Sequence, residues 1–389
     1  MMVLDKNDPN YRQCSMSVMD NIADPDITFD ENGVSNYYFE YKKEEKEGVF
    51  LGEEGIRKLD DIVNQIKKSG KGKKYDCVIG VSGGVDSTYV ALLAKRYGLR
   101  GLLVHFDNGW NSELAVKNVQ SIIDFTGFDL YTYVVDWELF RDVQRSLIKA
   151  SVVDVELCTD MFIGDAIVQQ MRKFNIKYSL SGNNVVTEAI LPKYWYHSKS
   201  DFLNLQSIHK TFGSIKNIKL PINEVRKGYW GLNNKYVTIK ILNYINYNKE
   251  SVKQEIIDEI GWRDYGGKHW ESVFTKFFQA YILTEKFKID KRKAHLSTLI
   301  FSGQISKVDA LEELEQPIYS PANFITDRDF VLKKLGFTNE EFNELMKNER
   351  IEHSSYGTIG RRSDVIPILK YISFLKPAYR IINEFLRKR

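Results

Sequence analysis

A glycine-containing loop that directly follows a short apolar run constrains the fold of this chain more than any other feature. Residues 77–81 form the apolar run, and residues 82–87 read Ser-Gly-Gly-Val-Asp-Ser. Glycines at such a place let the backbone turn sharply and approach a ligand closely. A helix that begins after the loop would present unpaired backbone N–H groups and the positive end of its dipole. The sequence therefore predicts a strand–loop–helix unit that binds phosphate.

The side chains of this loop suit a nucleotide. Its candidate nucleotide-binding residues are Ser82, Gly83, Gly84, Val85, Asp86 and Ser87. The two serines can donate hydroxyl hydrogen bonds, and the aspartate is the natural ligand for Mg²⁺ bound to the phosphates. The chain contains neither GxxxxGK[ST] nor GxGxxG, so the loop is not of the Walker or dinucleotide type. An ordinary strand–helix turn with an N-cap serine is the alternative, but the complete sequence after an apolar strand favours phosphate binding.

Residues 75–215 continue the alternation of short apolar runs and longer amphipathic segments. Four apolar runs have the length and composition of buried strands: residues 77–81, 101–106, 130–135 and 178–182. Residues 88–97 and 112–126 have the pattern of helices between them. This order predicts an α/β fold with a doubly wound parallel sheet. Ligands of such sheets bind at the carboxyl ends of the strands.

The regions on either side of residues 75–215 differ from them in composition and in the spacing of apolar residues. Residues 1–74 begin irregularly, continue as a charged segment with apolar residues at helical spacing, and end in a basic, glycine-containing linker. Residues 216–389 have a mostly helical pattern. We therefore predict an N-terminal segment (1–74), an α/β domain (75–215) and a mostly helical C-terminal region (216–389).

Polar side chains follow two further predicted strands, where they would share the edge with the loop. These residues are Asp107, Asn108, Gly182, Asn183, Asn184 and Glu188. Asp107, Asn108 and Gly182 would lie beside the nucleotide. The amides of Asn183 and Asn184 could bind substrate, and Glu188 could bind Mg²⁺ or substrate. Both groups of residues are also typical of turns, and this alternative stays open.

Composition excludes some classes of function. The net charge of +3 over 389 residues is too small to indicate nucleic-acid binding. Three cysteines without a CxxC pair argue against a disulfide framework. No apolar run reaches the ~18–20 residues that cross a bilayer, and the N-terminus is too polar for a signal peptide. We expect a cytoplasmic protein without nucleic-acid or membrane partners.

The loop sequence resembles the SGGxDS motif of the PP-loop, or N-type, ATP pyrophosphatases. Asparagine, GMP and NAD synthetases and the tRNA thiolation and lysidine enzymes belong to this group, whose fold is similar to that of the adenine nucleotide alpha hydrolases. The resemblance implies that ATP adenylates an oxygen of a carbonyl-type substrate and releases pyrophosphate. A nucleophile then attacks and expels AMP.

Other segments resemble one family within this group. Residues 14–20, 24–34, 266–275 and 290–297 are similar to the N-acetyl sugar amidotransferases, the WbpG-like and PseA-like enzymes of bacterial surface-polysaccharide and nonulosonic acid synthesis. The resemblance implies conversion of an acetamido group on a UDP-linked or related diacetamido sugar to an acetamidino group, in lipopolysaccharide, O-antigen or nonulosonic acid synthesis. The implied cofactors are ATP and Mg²⁺. Ammonia would come from a separate glutaminase pair resembling HisH and HisF.

A charged cluster in the C-terminal region falls within these similar segments. Its members are Lys268, His269, Glu271, Lys291, Arg292 and His295. The lysine and arginine at 291 and 292 would complement pyrophosphate or sugar-nucleotide phosphates, and either histidine could be a general base. Lys268 and Glu271 are candidate substrate contacts. A solvated face of two helices is the alternative.

The N-terminal segment departs from the family pattern. Family members usually carry two CxxC pairs that form a zinc knuckle, and here the four positions are Cys14, Ser17, Ser35 and Tyr38. One thiolate cannot hold structural zinc. We therefore expect no zinc and a segment that is stabilised by packing.

Two other functions stay open. A tRNA-modifying PP-loop enzyme would share the loop, although Cys158 has no evident partner thiol for thiolation and the modest charge gives no clear tRNA-binding face. A non-catalytic, nucleotide-binding paralogue is the other alternative, although such a protein would not need Asp86.

Overall fold

The computed structural model describes residues 8–229, 231–267 and 270–360. In this part of the chain, parallel strands form one sheet in the order β3-β2-β1-β4-β5. The strands are β1 (Cys77–Gly80), β2 (Gly101–Asp107), β3 (Asp129–Val134), β4 (Tyr178–Ser181) and β5 (Val237–Lys240). The predicted parallel α/β fold is confirmed.

Helices surround this sheet and form the rest of the described molecule. The α-helices are α1 (Asn36–Gly48), α2 (Gly52–Gly70), α3 (Val85–Arg96), α4 (Glu113–Thr126), α5 (Trp137–Lys149), α6 (Leu157–Lys173), α7 (Val185–Glu188), α8 (Phe202–Phe212), α9 (Asn223–Tyr229), α10 (Lys249–Ile260), α11 (Val273–Phe277), α12 (Arg292–Phe301), α13 (Lys307–Glu315), α14 (Pro321–Leu335) and α15 (Asn339–Lys347). A π-helix, Phe278–Lys286, directly continues α11. Short 3₁₀ helices occur at Lys193–Trp195, Ile241–Tyr244 and His353–Ser355.

Side chains of β1 are buried alternately on the two faces of the sheet. Cys77 and Ile79 belong to an apolar core with residues of α2, α3, α4 and α10. Val78 belongs to a second core with Met171 of α6. Because successive side chains of a strand point to opposite faces, helices must cover both sides, which explains why β1 reads as a continuous apolar run.

The chain order of the strands creates a switch point beside β1. From β1 the chain proceeds to β2 and β3 on one side, and β4 and β5 lie on the other side. Crevices at the carboxyl ends of the strands form at such points. The sheet also takes its last strand, Val237–Lys240, from beyond residue 215, where we had predicted the α/β domain to end.

A further apolar core joins the N-terminal segment to α5, α6 and the C-terminal helices. Its fully buried members include Met19, Phe140, Phe162, Phe277 and Phe342. The C-terminal region therefore packs against the α/β part of the chain through a continuous core. This packing brings residues beyond 260 to the carboxyl edge of the sheet.

The N-terminal segment is held by packing and hydrogen bonds at the four positions of the family's zinc knuckle. Cys14, Ser17 and Ser35 are fully buried. The Ser35 N–H donates to Cys14 Sγ at 3.3 Å, and the Tyr38 N–H donates to the Ser35 carbonyl at 3.0 Å. Lys307 Nζ at the start of α13 donates to the Cys14 carbonyl at 2.8 Å. These contacts stabilise the segment without requiring four thiolates.

None of the helices among the described residues is both long and apolar enough to cross a membrane.

A buried histidine lies where the last described residues pack against α8. The rings of His197 and His353 stack with their centroids 4.3 Å apart. His353 Nδ1 donates to Asn204 Oδ1 at 2.7 Å, and its Nε2 accepts from the Asp154 N–H at 3.4 Å. Burial, reinforced by the charge of His197, lowers the pKa of His353 from 6.5 to about 3. The ring is therefore neutral in the folded protein.

We expect the free energy of unfolding to fall as the pH is lowered from about 6.5 towards 3, because the unfolded chain protonates His353 and the folded chain does not. This slope is at most about 1.4 kcal/mol per pH unit for one such group. Urea denaturation above about pH 4.5, before most carboxylates titrate, measures it. His353→Asn, which can still donate to Asn204, should show a flatter pH dependence. Parallel curves for the two proteins would contradict this assignment.

Candidate active site

The loop after β1 has a conformation that favours glycine at its second position. Gly83 has a φ of +86°, and a Cβ there would lie 2.6 Å from the backbone oxygen of Ala115. The Ser82 N–H donates to Ser87 Oγ at 3.3 Å, and the Gly84 N–H donates to Ser82 Oγ at 3.2 Å. The two serines thus brace a tight loop at the switch point of the sheet.

Helix α3 begins at Val85, three residues earlier than predicted, because Gly84 takes the extended conformation of an N-cap. A glycine N-cap contributes no capping side chain. Thr88 Oγ1 and Trp262 Nε1 support the loop from behind by donating to the carbonyls of Gly84 at 2.7 Å and Gly83 at 2.8 Å. A helix N-terminus without a capping side chain suits an anion such as phosphate.

Asp86 lies in the first turn of α3 and accepts a short hydrogen bond from the Tyr247 hydroxyl. Burial, followed by the charges of Asp86 and Glu188, raises the pKa of Tyr247. Tyr247 therefore stays protonated, bonded to Asp86 and close enough to Glu188 to feel its charge. The tyrosine itself was missed, since one tyrosine among 22 carries no local signal.

The end of β4 packs directly against the start of α3. A Cβ on Gly182 would lie 2.9 Å from Cβ of Asp86 and 3.1 Å from the nitrogen of Ser87. Asn183 is exposed at this edge, where a ligand can reach it. Asn184 is buried, and its Oδ1 caps α7 by accepting from the Thr187 N–H at 2.9 Å. The predicted substrate role of Asn184 is therefore not supported, because a helix cap engages its amide.

The end of β2 forms the turn that its sequence allows. Asp107 Oδ1 accepts from the Gly109 N–H at 2.8 Å and from Asn111 Nδ2 at 3.4 Å. Asn108 is buried, and its Oδ1 accepts from the Trp110 N–H at 3.2 Å. Both predicted nucleotide contacts thus stabilise this turn, and β2 lies on the side of β1 away from β4.

A segment of the C-terminal region runs along the carboxyl edge of the sheet. The Ser112 N–H donates to the Glu271 carbonyl at 2.8 Å, and the Val273 N–H donates to the Trp110 carbonyl at 2.9 Å. This pairing places a carboxylate oxygen of Glu271 3.5 Å from the position that a Cβ on Gly84 would occupy. Glu271, a predicted substrate contact, is therefore beside the phosphate loop.

Tyr265 approaches the loop from the same region. Its hydroxyl lies 3.0 Å from the Cβ position at Gly84, and burial followed by the charge of Glu271 raises its pKa. Neither Tyr265 nor its role could be inferred from sequence spacing. Lys268 and His269, which were predicted members of the site, lie outside the described residues.

Arg292 does not join the site, contrary to our prediction. Its guanidinium binds both carboxylate oxygens of Asp290 and donates to the carbonyls of Glu313 at 3.0 Å and Gln316 at 2.8 Å. Consecutive residues of a helix point about 100° apart. The face of α12 that carries Lys291 and His295 therefore differs from the face that carries Arg292, which ties α12 to the end of α13.

His295 projects from α12 towards the residues that follow β4. Its Nδ1 lies 3.1 Å from the Thr187 carbonyl, and its Nε2 lies 3.2 Å from Lys249 Nζ. A carbonyl can only accept, so the proton of the neutral ring is on Nδ1. The neighbouring Glu188 is thus close to this face of α12.

A charged cluster that the sequence did not reveal lies near the other end of that helix face. Glu156, at the N-cap of α6, accepts from Thr275 Oγ1 at 2.5 Å. Burial, and secondly the charge of Asp160, raises the pKa of Glu156 to about 7. Burial lowers the pKa of Lys291, and the charge of Glu156 opposes this. Lys199 Nζ pairs with Asp160 at 2.8 Å. Glu156 and Lys291 each keep partial exposure.

These contacts and charge interactions link the residues at the carboxyl edge of the sheet, where a crevice is expected in such folds and which we call the cleft. On one side, Asp86 and Tyr247 lead through Glu188 to the face of α12 that carries His295 and Lys291. On the other side, Lys291 leads through Glu156, Thr275 and Glu271 back to the loop at Gly84. Residues three or four apart on a helix are neighbours on one face, so Lys291 and His295 join the two sides. The structure thus brings Ser82–Ser87 together with five other predicted residues: Gly182, Glu188, Glu271, Lys291 and His295.

The carboxylates beside the loop fit Mg²⁺ in one specific way. Among the described residues, no group of three or more metal-ligating side chains occurs. Mg²⁺ is usually held by one or two carboxylates, several waters and substrate phosphates. Asp86, in the first turn of α3, could supply such a carboxylate, while phosphates on the adjacent loop would complete the coordination.

We expect Gly182→Ala to weaken nucleotide binding by about 10-fold or more, because the added methyl group would push the start of α3 away from β4. A 10-fold change in affinity corresponds to about 1.4 kcal/mol of binding free energy. Gly164→Ala in α6 is the matched control, since its Cβ would meet nothing within 4 Å. That variant should bind normally and gain stability from its higher helix propensity. Calorimetric titration with a non-hydrolysable ATP analogue measures both, and equal affinities would contradict the role of this contact.

Comparison with known proteins gives a family match for the C-terminal region. Residues 271–369 match the family described as "LPS biosynthesis protein WbpG-like, C-terminal domain". No curated protein matches the chain. Among solved structures, NMN synthetase from Francisella tularensis is 16% identical and covers 55% of this chain and 98% of its own, with a TM-score of 0.27. The NH3-dependent NAD synthetase from Campylobacter jejuni is 14% identical and covers 53% and 93%, with a TM-score of 0.27.

The two structures are too distant to define the fold, which follows from the order and register of the strands. The family match is more informative because it contains Glu271, Thr275, Lys291 and His295, the residues that close the cleft around the loop. The similarity to the WbpG-like proteins that the sequence indicates is thereby confirmed over residues 271–369.

Proposed function

We propose that this protein is an ATP-dependent amidotransferase that converts an acetamido group of a sugar to an acetamidino group and forms AMP and pyrophosphate. One observation carries the proposal: Glu271, in the WbpG-like region, lies beside an SGGxDS loop, with a carboxylate oxygen 3.5 Å from the Cβ position at Gly84. The loop accounts for cleavage between the α- and β-phosphates. The C-terminal residues supply charged and hydrogen-bonding groups for a second substrate.

The loop would bind the phosphates of ATP through backbone N–H groups and the hydroxyls of Ser82 and Ser87. When bound, Mg²⁺ would neutralise charge on the phosphates and make pyrophosphate a better leaving group. Asp86 would hold the ion, with the Tyr247 hydroxyl fixing the orientation of its carboxylate. These groups orient the α-phosphate towards the open part of the cleft.

The sugar would lie against the α12 face and Glu271. Its amide oxygen attacks the α-phosphorus, the bond to pyrophosphate breaks, and the amide N–H proton leaves to solvent, so that an O-adenylated imidate forms. This step turns a poor oxygen leaving group into a phosphate ester. Attack of ammonia on the same carbon then expels AMP. A nucleotide-linked diacetamido sugar of lipopolysaccharide, O-antigen or nonulosonic acid synthesis is the proposed acceptor. The similarity to an LPS biosynthesis family favours the first of these pathways.

We further propose that ammonia comes from a separate glutaminase pair resembling HisH and HisF. The three cysteines of the sequence, Cys14, Cys77 and Cys158, are all buried. Burial raises the pKa of the Cys158 thiol to about 12. A glutaminase nucleophile needs an accessible thiolate, so these cysteines do not fit that role.

The test incubates the protein with ATP, Mg²⁺, ammonium and candidate diacetamido sugars. We expect sugar-dependent release of AMP and pyrophosphate, and a product in which NH replaces O, identified by its mass. Release of ADP and phosphate would overturn the adenylation mechanism. AMP release that depends on tRNA instead of sugar would assign the protein to tRNA modification.

Asp86→Asn should lower the rate of pyrophosphate release by about 100-fold or more, because metal-assisted charge stabilisation contributes several kcal/mol to such a step. Asp124→Asn on the exposed surface of α4 is the matched control and should retain full activity. Continuous pyrophosphate detection compares the two variants. A fully active Asp86→Asn protein would rule out the proposed metal ligand.

A further inference from the structure

We infer that Glu156 is the general base that takes a proton from ammonium in the second half-reaction. This inference rests on the proposed function, and neither the family match nor the motifs contain Glu156. It names the position in the cleft from which the nucleophile attacks.

The place of Glu156 in the fold is the first support. It precedes α6, which runs antiparallel to the strands and leads into β4, so its N-terminus lies at the carboxyl edge of the sheet. Thr275 connects Glu156 to α11, and the N-cap residue of that helix, Ser272, directly follows Glu271 at the phosphate loop. Glu156 therefore belongs to the cleft that holds the loop, on the wall formed by α6, α11 and Lys291.

The bonding of its carboxylate is the second support. Oε1 accepts from Thr275, whereas Oε2 accepts no hydrogen bond from the described residues and is not sealed from solvent. The side chain is partly exposed although protein surrounds it on most sides. One oxygen is thus held in place by the protein, and the other can bind a small ligand.

The charges around Glu156 favour a cation as that ligand. Asp160, Lys199 and Lys291 face it. Asp154 joins them through its ion pair with Lys199, so the cluster holds three carboxylates and two ammonium groups. Lys199 pairs with Asp154 at 2.6 Å and with Asp160 at 2.8 Å. With all five groups ionised the cluster has a net charge of −1, which favours entry of an ammonium ion.

The proposed reaction needs a base at this point whenever the nitrogen arrives as ammonium, as in the assay with ammonium salts, or when ammonia is protonated on its way to the site. Simple amines are mostly protonated at neutral pH, and ammonium has no lone pair with which to attack carbon. Glu156 accepts one proton from ammonium through Oε2, and the released lone pair forms the new C–N bond. The C–O bond to AMP then breaks, its electron pair stays on the phosphate oxygen, and the product leaves as an amidinium ion. A buried carboxyl whose pKa is raised to about 7 is suited to this transfer.

The other candidates in the cleft are less suitable. His295 Nε2 is occupied by Lys249 Nζ, and its Nδ1 donates to a carbonyl. Asp154 and Asp160 are both engaged by Lys199.

The experiment separates the two half-reactions in the full chain. Sugar-dependent exchange of labelled pyrophosphate into ATP reports adenylation alone, and formation of the amidine reports the attack. Glu156→Gln should keep exchange within about 2-fold of the wild type and lose ammonium-dependent transfer by about 100-fold, the usual contribution of a general base. Hydroxylamine is largely unprotonated at neutral pH and should restore transfer in this variant. A structural role for Glu156 would not produce this dependence on the nucleophile.

Two further variants complete the test. Glu138→Gln on the exposed surface of α5 is the matched control and should match the wild type in both assays. Glu156→Asp keeps the carboxylate and should lose ammonium-dependent transfer by an intermediate factor, and it serves as the test variant if Glu156→Gln does not fold. Equal loss of exchange and transfer, or full ammonium-dependent transfer, would overturn the role of Glu156. Absence of sugar-dependent exchange in the wild type would overturn the proposed function and, with it, this inference.

Discussion

The candidate site depends on the pairing of the segment at 271–273 with the residues that follow β2. Two backbone hydrogen bonds, from Ser112 to Glu271 and from Val273 to Trp110, join the C-terminal region to the carboxyl edge of the sheet. They hold the Glu271 carboxylate beside the loop and start α11 where Thr275 meets Glu156. Without this pairing, the loop would be an isolated phosphate-binding turn with only one wall.

Helix α12 distributes consecutive side chains to different parts of the molecule. Lys291 faces the cleft, Arg292 ties the helix to the end of α13, and Lys293 pairs with Asp20 of the N-terminal segment. His295 reaches the turn after β4. Since each residue is rotated by about 100° from the one before, the four charged side chains of this short run contact four different parts of the molecule. Because Asp20 is fully buried, its ion pair with Lys293 fixes the N-terminal segment against this helix.

The charges in the cleft have an energetic cost that explains their arrangement. Burying an ionised group is unfavourable unless it is paired or hydrogen-bonded. Lys199 is compensated by two carboxylates, whereas Glu156 and Lys291 have shifted pKa values in opposite directions. Such shifts concentrate at functional sites. This arrangement agrees with the roles that we propose, proton transfer on the α6 side and anion binding on the loop side.

The sequence by itself determined the parallel sheet, the loop and the helix that follows it, because these depend on local apolar periodicity and on glycines at fixed positions. It also pointed to Glu188, Glu271, Lys291 and His295, but it could not separate Lys291 from Arg292, since facing directions on α12 depend on its neighbours. Tyr247, Tyr265 and Glu156 lie in stretches without a motif, and only the packing of distant segments brings them to the loop. Asn108 and Asn184 were predicted to contact ligands, but in the folded chain their side chains make a turn hydrogen bond and a helix-cap hydrogen bond. Local chemistry thus specified the loop at which we propose that phosphate binds, and tertiary packing decided which side chains surround that loop.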